Sequence, residues 1–298
     1  MFNRKVSANL GMSYSVSNVL AEAGEENIIR WLPIEMETSE VRNRIRNKMI
    51  RPTTIPSTLE ELKLEQAIAR EALRLALEHH KSMAVGLKGI QQERTISDAF
   101  AQARTGETLV NMMELNLVVG SGGALSHAPR RSQAAMMLLD AFQPEGVTRL
   151  AVDSIFMMPH LGVLTEVHPE AAQEVFEKDC LIHLGTSIAP AGQGKEGRVC
   201  VNVRIIKANG EELQARVNYG DIKCLPLEVG ETARAIISPE RGFDVGAGSG
   251  KVIEAKVEGG LCGIIIDARG RPLTLPVEEK ARREALKKWA LQINAYPI

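Results

Sequence analysis

The residues best suited to chemistry in this sequence are glycines. Val118-Val119-Gly120-Ser121-Gly122-Gly123-Ala124 places a glycine cluster directly after a short apolar run. Glycine has no Cβ, so backbone built from it can approach a flat or anionic ligand closely, and a helix beginning just beyond adds free amides. Gly120, Ser121, Gly122, Gly123 and Ala124 are therefore the candidate ligand- or cofactor-binding set. The alternative is a tight structural turn, because motifs this short recur by chance. The spacing matches neither the six-residue dinucleotide fingerprint nor a Walker loop, which needs a lysine followed by a hydroxyl.

Other groups make weaker cases. Gly246-Ala247-Gly248-Ser249-Gly250-Lys251 has the look of a phosphate loop, but Val252 stands where a magnesium-binding hydroxyl belongs and the flanks read as strands. Asp244-Val245-Gly246 is similar to a short acidic phosphate motif; a hairpin turn is the favoured reading of both. Gly194-Lys195 is weaker still. His127, His160, His168 and His183 lack the helical pairing with carboxylates that a metal site uses. His127, just past the glycine loop, either touches a ligand or caps the loop. Cys180, Cys200, Cys224 and Cys262 are too scattered for a zinc site or a disulfide scaffold and read as buried thiols in a reducing compartment. No serine sits in a nucleophile elbow, and no Asp-x-His-x-x-Gly run offers a histidine to cobalt. No residue is assigned a catalytic or metal-binding role.

The elements that must hold these groups follow from pattern. The chain has 298 residues, 44% hydrophobic and 24% charged, with a formal net charge of −1. That composition suits a globular protein and supplies no global attraction for nucleic acid or an anionic membrane. Arg42, Arg44, Arg46, Lys48 and Arg51 form a local basic run, read as a solvated helix face. With no signal segment and no membrane-length apolar run, a cytoplasmic location is expected. Residues 1–110 read as helical: 16–23 closed by Gly24, 25–32 stopped by Pro33, 38–49 capped by Thr38, and a long amphipathic helix from a Ser57/Glu60 capping box to His79 and His80. In that helix Leu64, Ile68, Ala72 and Leu75 form the buried stripe, with Arg70 placed outside it. Residues 111–190 alternate strand and helix: strand 114–119, the glycine loop, helix 130–142, strand 148–152 and helix 170–177. Residues 191–197 read as a linker. Residues 191–298 then form a β-rich unit, an antiparallel sheet or barrel with an Asn209-Gly210 hairpin turn, ending in a helix that buries Trp289.

Four longer runs carry a family resemblance: 49–56 (MIRPTTIP), 114–129 (ELNLVVGSGGALSHAP), 142–160 (FQPEGVTRLAVDSIFMMPH) and 263–272 (GIIIDARGRP). They resemble the glutamate mutase accessory proteins called MutL, which are unrelated to the mismatch-repair protein of that name. The resemblance implies the C-terminal half of an actin-like, sugar-kinase-like ATPase fold, α/β overall, with a helical N-terminal segment, an adenosine-side nucleotide-binding subdomain and a β-rich C-terminal subdomain. It implies a chaperone-like reactivating role for adenosylcobalamin-dependent glutamate mutase or a related aminomutase, whose subunits would be the partners, and the family as a whole implies ATP and magnesium. In that superfamily the strand–double-glycine–helix element holds adenosine, here at Gly120, Gly122 and Gly123 with Ser121 and Ala124 beside them. One departure stands out. The family's two acidic phosphate motifs precede the adenosine loop, and nothing before Gly120 fits them; the opening Met1-Phe2-Asn3-Arg4-Lys5 looks like the middle of a family chain. A missing N-terminal half is thus an expected partner. Phosphoryl transfer depends on neutralising charge at the phosphates, so this chain alone is expected to hydrolyse no ATP. A non-catalytic partner-binding module and a small-molecule kinase of the same fold remain as alternatives.

Overall fold

The computed structural model describes Ser7 and residues 9–84, 108–155 and 157–297. The opening Met1–Lys5 stretch, Phe156 of the third resembling run and the part of the helical segment at 85–107 lie outside them. The described residues form a mixed α/β structure in three layers. Helices make the first layer, a five-stranded sheet the second and a four-stranded sheet the third.

The helical layer opens with α1 (Val16–Ala23), ended by Gly24 at φ +77°, then α2 (Glu25–Ile29), which stops short of the expected residue 32. α3 (Thr38–Ile50) follows; Thr38 is its first helical residue rather than its cap, a position taken by Glu37 without a side-chain bond. α4 (Leu59–Met83) runs past His79 and His80. Its capping box is Thr58 with Glu61, one residue later than the pattern suggested. The Ser57 amide and hydroxyl also donate to Glu61, so that carboxylate gathers three donors and titrates below its usual range. Leu64, Ile68, Ala72 and Leu75 are buried as their spacing requires.

Strand β1 (Leu117–Gly120) leads through the glycine loop to α5 (Gly123–Ser126) and α6 (Arg131–Phe142). β2 (Gly146–Asp153) lies parallel to β1. Two short helices, α7 (Met158–Leu164) and α8 (Pro169–Val175), and a π-helical turn lead to β3 (Leu181–Ala189). β3 has no counterpart in the sequence reading: buried on both faces, with Gly185 and Thr186 in its middle, it lacks a period-two signature. β4 (Val199–Lys207) and β5 (Glu212–Asn218) form the expected Asn209-Gly210 hairpin. β6 (Ile222–Leu225), β7 (Thr232–Pro239), β8 (Ile253–Glu258), β9 (Ile264–Asp267) and α9 (Glu279–Gln292) complete the order.

The β-rich stretch is not one sheet or barrel. The five-stranded sheet runs β1-β2-β3-β9-β6 and the four-stranded one β5-β4-β7-β8, so β9 and β6 join the strands around the glycine loop. Residues 191–197 are not a free linker either. Ala191 bridges Asp244, Gly192 bridges Arg271, and a Cβ on Gly194 would meet Phe243 Cζ at 2.7 Å. One face of the central sheet packs on the helices through Leu150, Val152, Leu184 and Ile265; the other packs on the third layer through Ile188, Ile264 and Ile266.

A chain of buried charges pins helices to sheet. Arg70 of α4 donates from Nε to Asp140 Oδ2 of α6 at 2.6 Å. Asp140 Oδ1 accepts from Arg269 at 2.7 Å, Arg269 reaches both oxygens of Asp267 at 2.8 Å, and Arg271 reaches Asp267 Oδ2 at 2.6 Å. All five side chains are at most 8% exposed. Arg70 thus belongs inside, contrary to its sequence placement, because it meets a carboxylate 70 residues away. The motif Asp267-Ala268-Arg269-Gly270-Arg271 is structural for the same reason. Arg42 and Arg44 pair with Glu25 and Glu40, as a solvated helix face would; Lys48 departs from that reading, since it pairs with Glu65 and is only 14% exposed. The cysteines carry free thiols. Burial pushes Cys200 and Cys262 up to about 12 and Cys224 up to about 11, which keeps them as unreactive thiols. Among the described residues no helix is long and apolar enough to cross a membrane.

Removing one partner of a buried pair costs about 3–5 kcal/mol because it strands the other charge. Asp267→Asn is therefore expected to lower unfolding free energy by about that amount in urea titration, against a near-zero change for exposed Glu170→Gln. Burial alone would raise the Asp267 carboxyl, but Arg269 and Arg271 outweigh it and hold it well below the usual range. A depressed folded value stabilises fully above the unfolded pKa near ~4 and is lost as pH falls toward the folded value. Wild-type stability should fall with acid below about pH 4 more steeply than that of Asp267→Asn; parallel curves would contradict the assignment.

Candidate functional site: a cleft between the glycine loop and helix α4

The glycine loop is set by the parallel pair β1 and β2. Gly120 ends β1 opposite Val152, and the next residue of β2 is Asp153, fully buried. The Asp153 carboxylate accepts from Ser121 Oγ at 3.3 Å and from the amides of Ile155, Met157 and Met158 at 3.4, 3.3 and 3.3 Å. Its backbone carbonyl accepts the Ser126 hydroxyl. One residue thus ties the loop, α5 and the end of β2 together, the loop through its carboxylate and α5 through its backbone carbonyl. Two donors on each oxygen fill the carboxylate's acceptor sites, so Asp153 is an anchor and is not poised for a cation. The sequence reading gave it no role; an acid at the end of an apolar strand, near a glycine loop, is the signal that marks it.

Within the loop the glycines differ. A Cβ on Gly120 would press Leu125 at 2.8 Å and Leu138 at 3.0 Å, so Gly120 serves close packing of loop on α6. Gly122 sits at φ +106°, where other residues are strained, and a Cβ there meets nothing within 4 Å. Gly123 starts α5, with a Cβ also meeting nothing. Ser121, Gly122, Gly123 and Ala124 line a cleft of about 1060 Å³; Gly120 lies behind it. That volume is at the upper end of small-molecule sites.

The other walls come from the helical layer. α4 presents Leu62, Gln66, Ala69, Ala72, Leu73 and Ala76, whose small side chains leave a shallow apolar surface. Residues 52–58 and 10–13 close further sides. Polar side chains also line it, including Thr53, Thr54, Thr58 and Arg130. Gln66 donates to Gln133 at 3.0 Å and accepts from Tyr296 at 2.6 Å, and Gln133 donates to Ala295 O at 2.8 Å, so both amides are committed to the wall. Lys48 and Glu65 form an ion pair on the wall, and His127, capping α5, borders the cleft. His160, His168 and His183 do not line it. Among the described residues no group of three His, Cys, Asp or Glu is placed to hold a metal.

The competing loop is elsewhere. Residues 244–251 connect antiparallel β7 and β8 and do not line the cleft. Asp244 Oδ1 accepts from the amides of Gly246 and Gly248 at 2.8 Å each, and these bonds lower its pKa. The amides a phosphate would need are taken by the loop's own carboxylate, as the hairpin reading implies.

These features define an α/β protein whose glycine loop and helical layer enclose a cleft sized for a small molecule. The family described as "MutL protein" matches residues 1–180, and the chain belongs to that family. The matched region holds α1–α4, the glycine loop and Asp153, and thus nearly the whole cleft lining. Protein MutL of Clostridium tetanomorphum is 24% identical over 182 residues, covering 59% of this chain and 36% of that protein. The chain therefore spans little more than a third of the length of the relative it matches. No solved structure matches.

The glycine geometry predicts a split between neighbours. Gly123→Val, filling open space at ordinary φ, should change unfolding free energy by no more than about 0.5 kcal/mol. Gly122→Val should cost about 1–3 kcal/mol through backbone strain. Thermal melts of the two variants check this, and equal melting temperatures would contradict the backbone assignment.

Proposed function

We propose that the cleft is the adenosine side of a nucleotide site, and that the protein is an accessory, chaperone-like component serving adenosylcobalamin-dependent glutamate mutase or a related aminomutase. The observation that carries the first part is the placement of Ser121, Gly122, Gly123 and Ala124 on the cleft wall, facing a surface of alanines and leucines from α4. A purine is flat and largely apolar on its faces. Gly122 and Gly123 leave space that a side chain would fill, and the Gly123 and Ala124 amides, unlike those of Leu125, Ser126 and His127, have no backbone partner among the described residues. The residues present fit the nucleoside portion of ATP: Gly122, Gly123 and Ala124 on one side, Ala69, Ala72 and Ala76 on the other. ATP, where fully held, supplies a phosphoryl group for transfer.

Phosphate chemistry is a separate requirement. It needs cations and donors at the γ-phosphate, and contacts to the nucleoside bind ground and transition states alike. Asp153, the carboxylate that bonds the loop among the described residues, has its acceptor sites filled. We infer that this chain by itself binds the nucleoside without hydrolysing the triphosphate, and that the actin-like ATPase reading describes a larger assembly. The partners in this reading are subunits of the mutase and a chain supplying the phosphate motifs, and family membership is what supports them. The kinase alternative is disfavoured because the ionisable groups described on the cleft wall, Lys48, Glu65, His127 and Arg130, include no carboxylate beside the glycine loop.

Isothermal titration calorimetry on the chain tests this reading. Adenosine and ATP should bind with affinities within a few-fold of each other, with or without magnesium, and Gly123→Val should abolish both. No magnesium-dependent ATP turnover above background is expected. Turnover that disappears in Gly123→Val would overturn the non-hydrolytic reading; absence of adenosine binding would overturn the nucleoside reading.

A further inference from the structure

Two hydroxyls sealed inside the central sheet serve no bond of the fold. Thr148 of β2 and Ser187 of β3 stand directly opposite each other in the antiparallel register. They are 1% and 0% exposed. Neither Thr148 Oγ1 nor Ser187 Oγ finds a hydrogen-bond partner among the described residues, and they do not bond each other. Thr186, one position away on the other face, shows the ordinary case: its hydroxyl donates to Glu258 O at 2.7 Å and accepts from the Glu258 amide at 3.0 Å. A buried hydroxyl without a partner is costly, and nearly all such groups in folded proteins are satisfied. Two on facing strands imply a shared partner from outside the chain.

The surroundings select its chemistry. Leu150, two residues along β2 from Thr148, and Ile265, opposite Ser187 on β9, both pack against the helical layer. Alternation along a strand therefore turns both hydroxyls toward that layer. Two residues beyond Ile265, on the same face, comes Asp267 with Arg269 and Arg271 bound to it. The buried chain to which it belongs sets three guanidiniums, from Arg70, Arg269 and Arg271, against two carboxylates. It carries one positive charge in excess, and an uncompensated charge away from water is unfavourable. Glu71, the neighbouring buried acid of α4, is taken by Arg30, Trp31 and Arg74. Trp31 and Trp289 lie against Arg70 and Arg269 but bring no net charge. Hydroxyl donors beside a positive excess suit an anion and repel a metal cation. The span between opposed side chains of paired strands, with Cβ atoms about 4.5–5.5 Å apart, suits a single-atom ion. A water would satisfy the hydroxyls and leave the charge unbalanced.

We propose that Thr148 and Ser187 hold a chloride ion between the central sheet and the helical layer, where it balances the excess charge of the buried arginines. The site is separate from the cleft and independent of the nucleoside reading. Melting curves of the full chain at equal ionic strength in sodium chloride and in sodium gluconate test it. Above the midpoint of binding, each tenfold rise in chloride should raise the wild-type melting temperature by about 2–4 °C relative to gluconate. The double variant Thr148→Val/Ser187→Ala removes both donors at nearly constant shape and should melt alike in the two salts. Equal melting of wild type in both salts would overturn the proposal and leave the hydroxyls to an internal water. A chloride-specific rise that survives in the double variant would overturn it as well. Should the double variant not fold, wild-type crystals grown in bromide decide through anomalous scattering. A bromide peak between Thr148 and Ser187 is expected, and its absence there would contradict the assignment.

Discussion

Asp140 and Asp267 are sealed from water, and three guanidiniums converge on them. Each member is tolerable inside only with the others in place. Arg70 comes from α4, Asp140 from α6, and Asp267, Arg269 and Arg271 from the end of β9 and the turn beyond. Their mutual need fixes the distance between the helical layer and the sheet. Trp289 of α9 adds a ring 5.0 Å from the Arg269 guanidinium and donates to Gly220 O at 2.8 Å, extending the clamp to the C-terminal helix.

The cleft depends on that clamp. α4 is both the helix that Arg70 anchors and the wall that faces the glycine loop, so its alanines stand where the ion chain holds them. The opposite wall is held by Asp153, whose carboxylate gathers the loop and the start of the β2–β3 connection and whose backbone carbonyl holds α5. Two acids thus define the site from behind, neither of them exposed to it. What lines the cleft is the glycine-loop backbone, apolar side chains from alanine to leucine, and polar groups that include Thr53, Thr54, His127 and the Lys48–Glu65 pair, a mostly apolar lining with a few polar groups of the kind that holds a flat ring.

Much of this is legible from local pattern. The Leu64, Ile68, Ala72 and Leu75 stripe, the Gly24 stop, the Asn209-Gly210 hairpin and burial of Trp289 depend on residues close in sequence, and each appears as its spacing implies. The glycine loop, too, stands between a strand and a helix as read. Long-range pairing is what local pattern misses. Arg70 looks like an exposed charge until Asp140 is beside it, and Asp267 looks like a strand terminus until Arg269 folds back on it. β3 escapes because a strand covered on both faces shows no alternation. The β-rich stretch reads as one sheet because the return of β9 and β6 to β3 is a matter of register, which neighbouring residues do not encode. The shift from Ser57/Glu60 to Thr58/Glu61 is smaller in kind: two adjacent hydroxyl residues compete for one cap.

The central claim is that a ligand enters between the glycine loop and α4. Amide hydrogen exchange with and without saturating adenosine tests it most directly, since it reports where protection arises without presuming any residue's role. Protection is predicted at residues 121–128 and along 62–76, with residues 244–251 unchanged. Protection confined to 244–251, or exchange unaffected at both walls of the cleft, would contradict it.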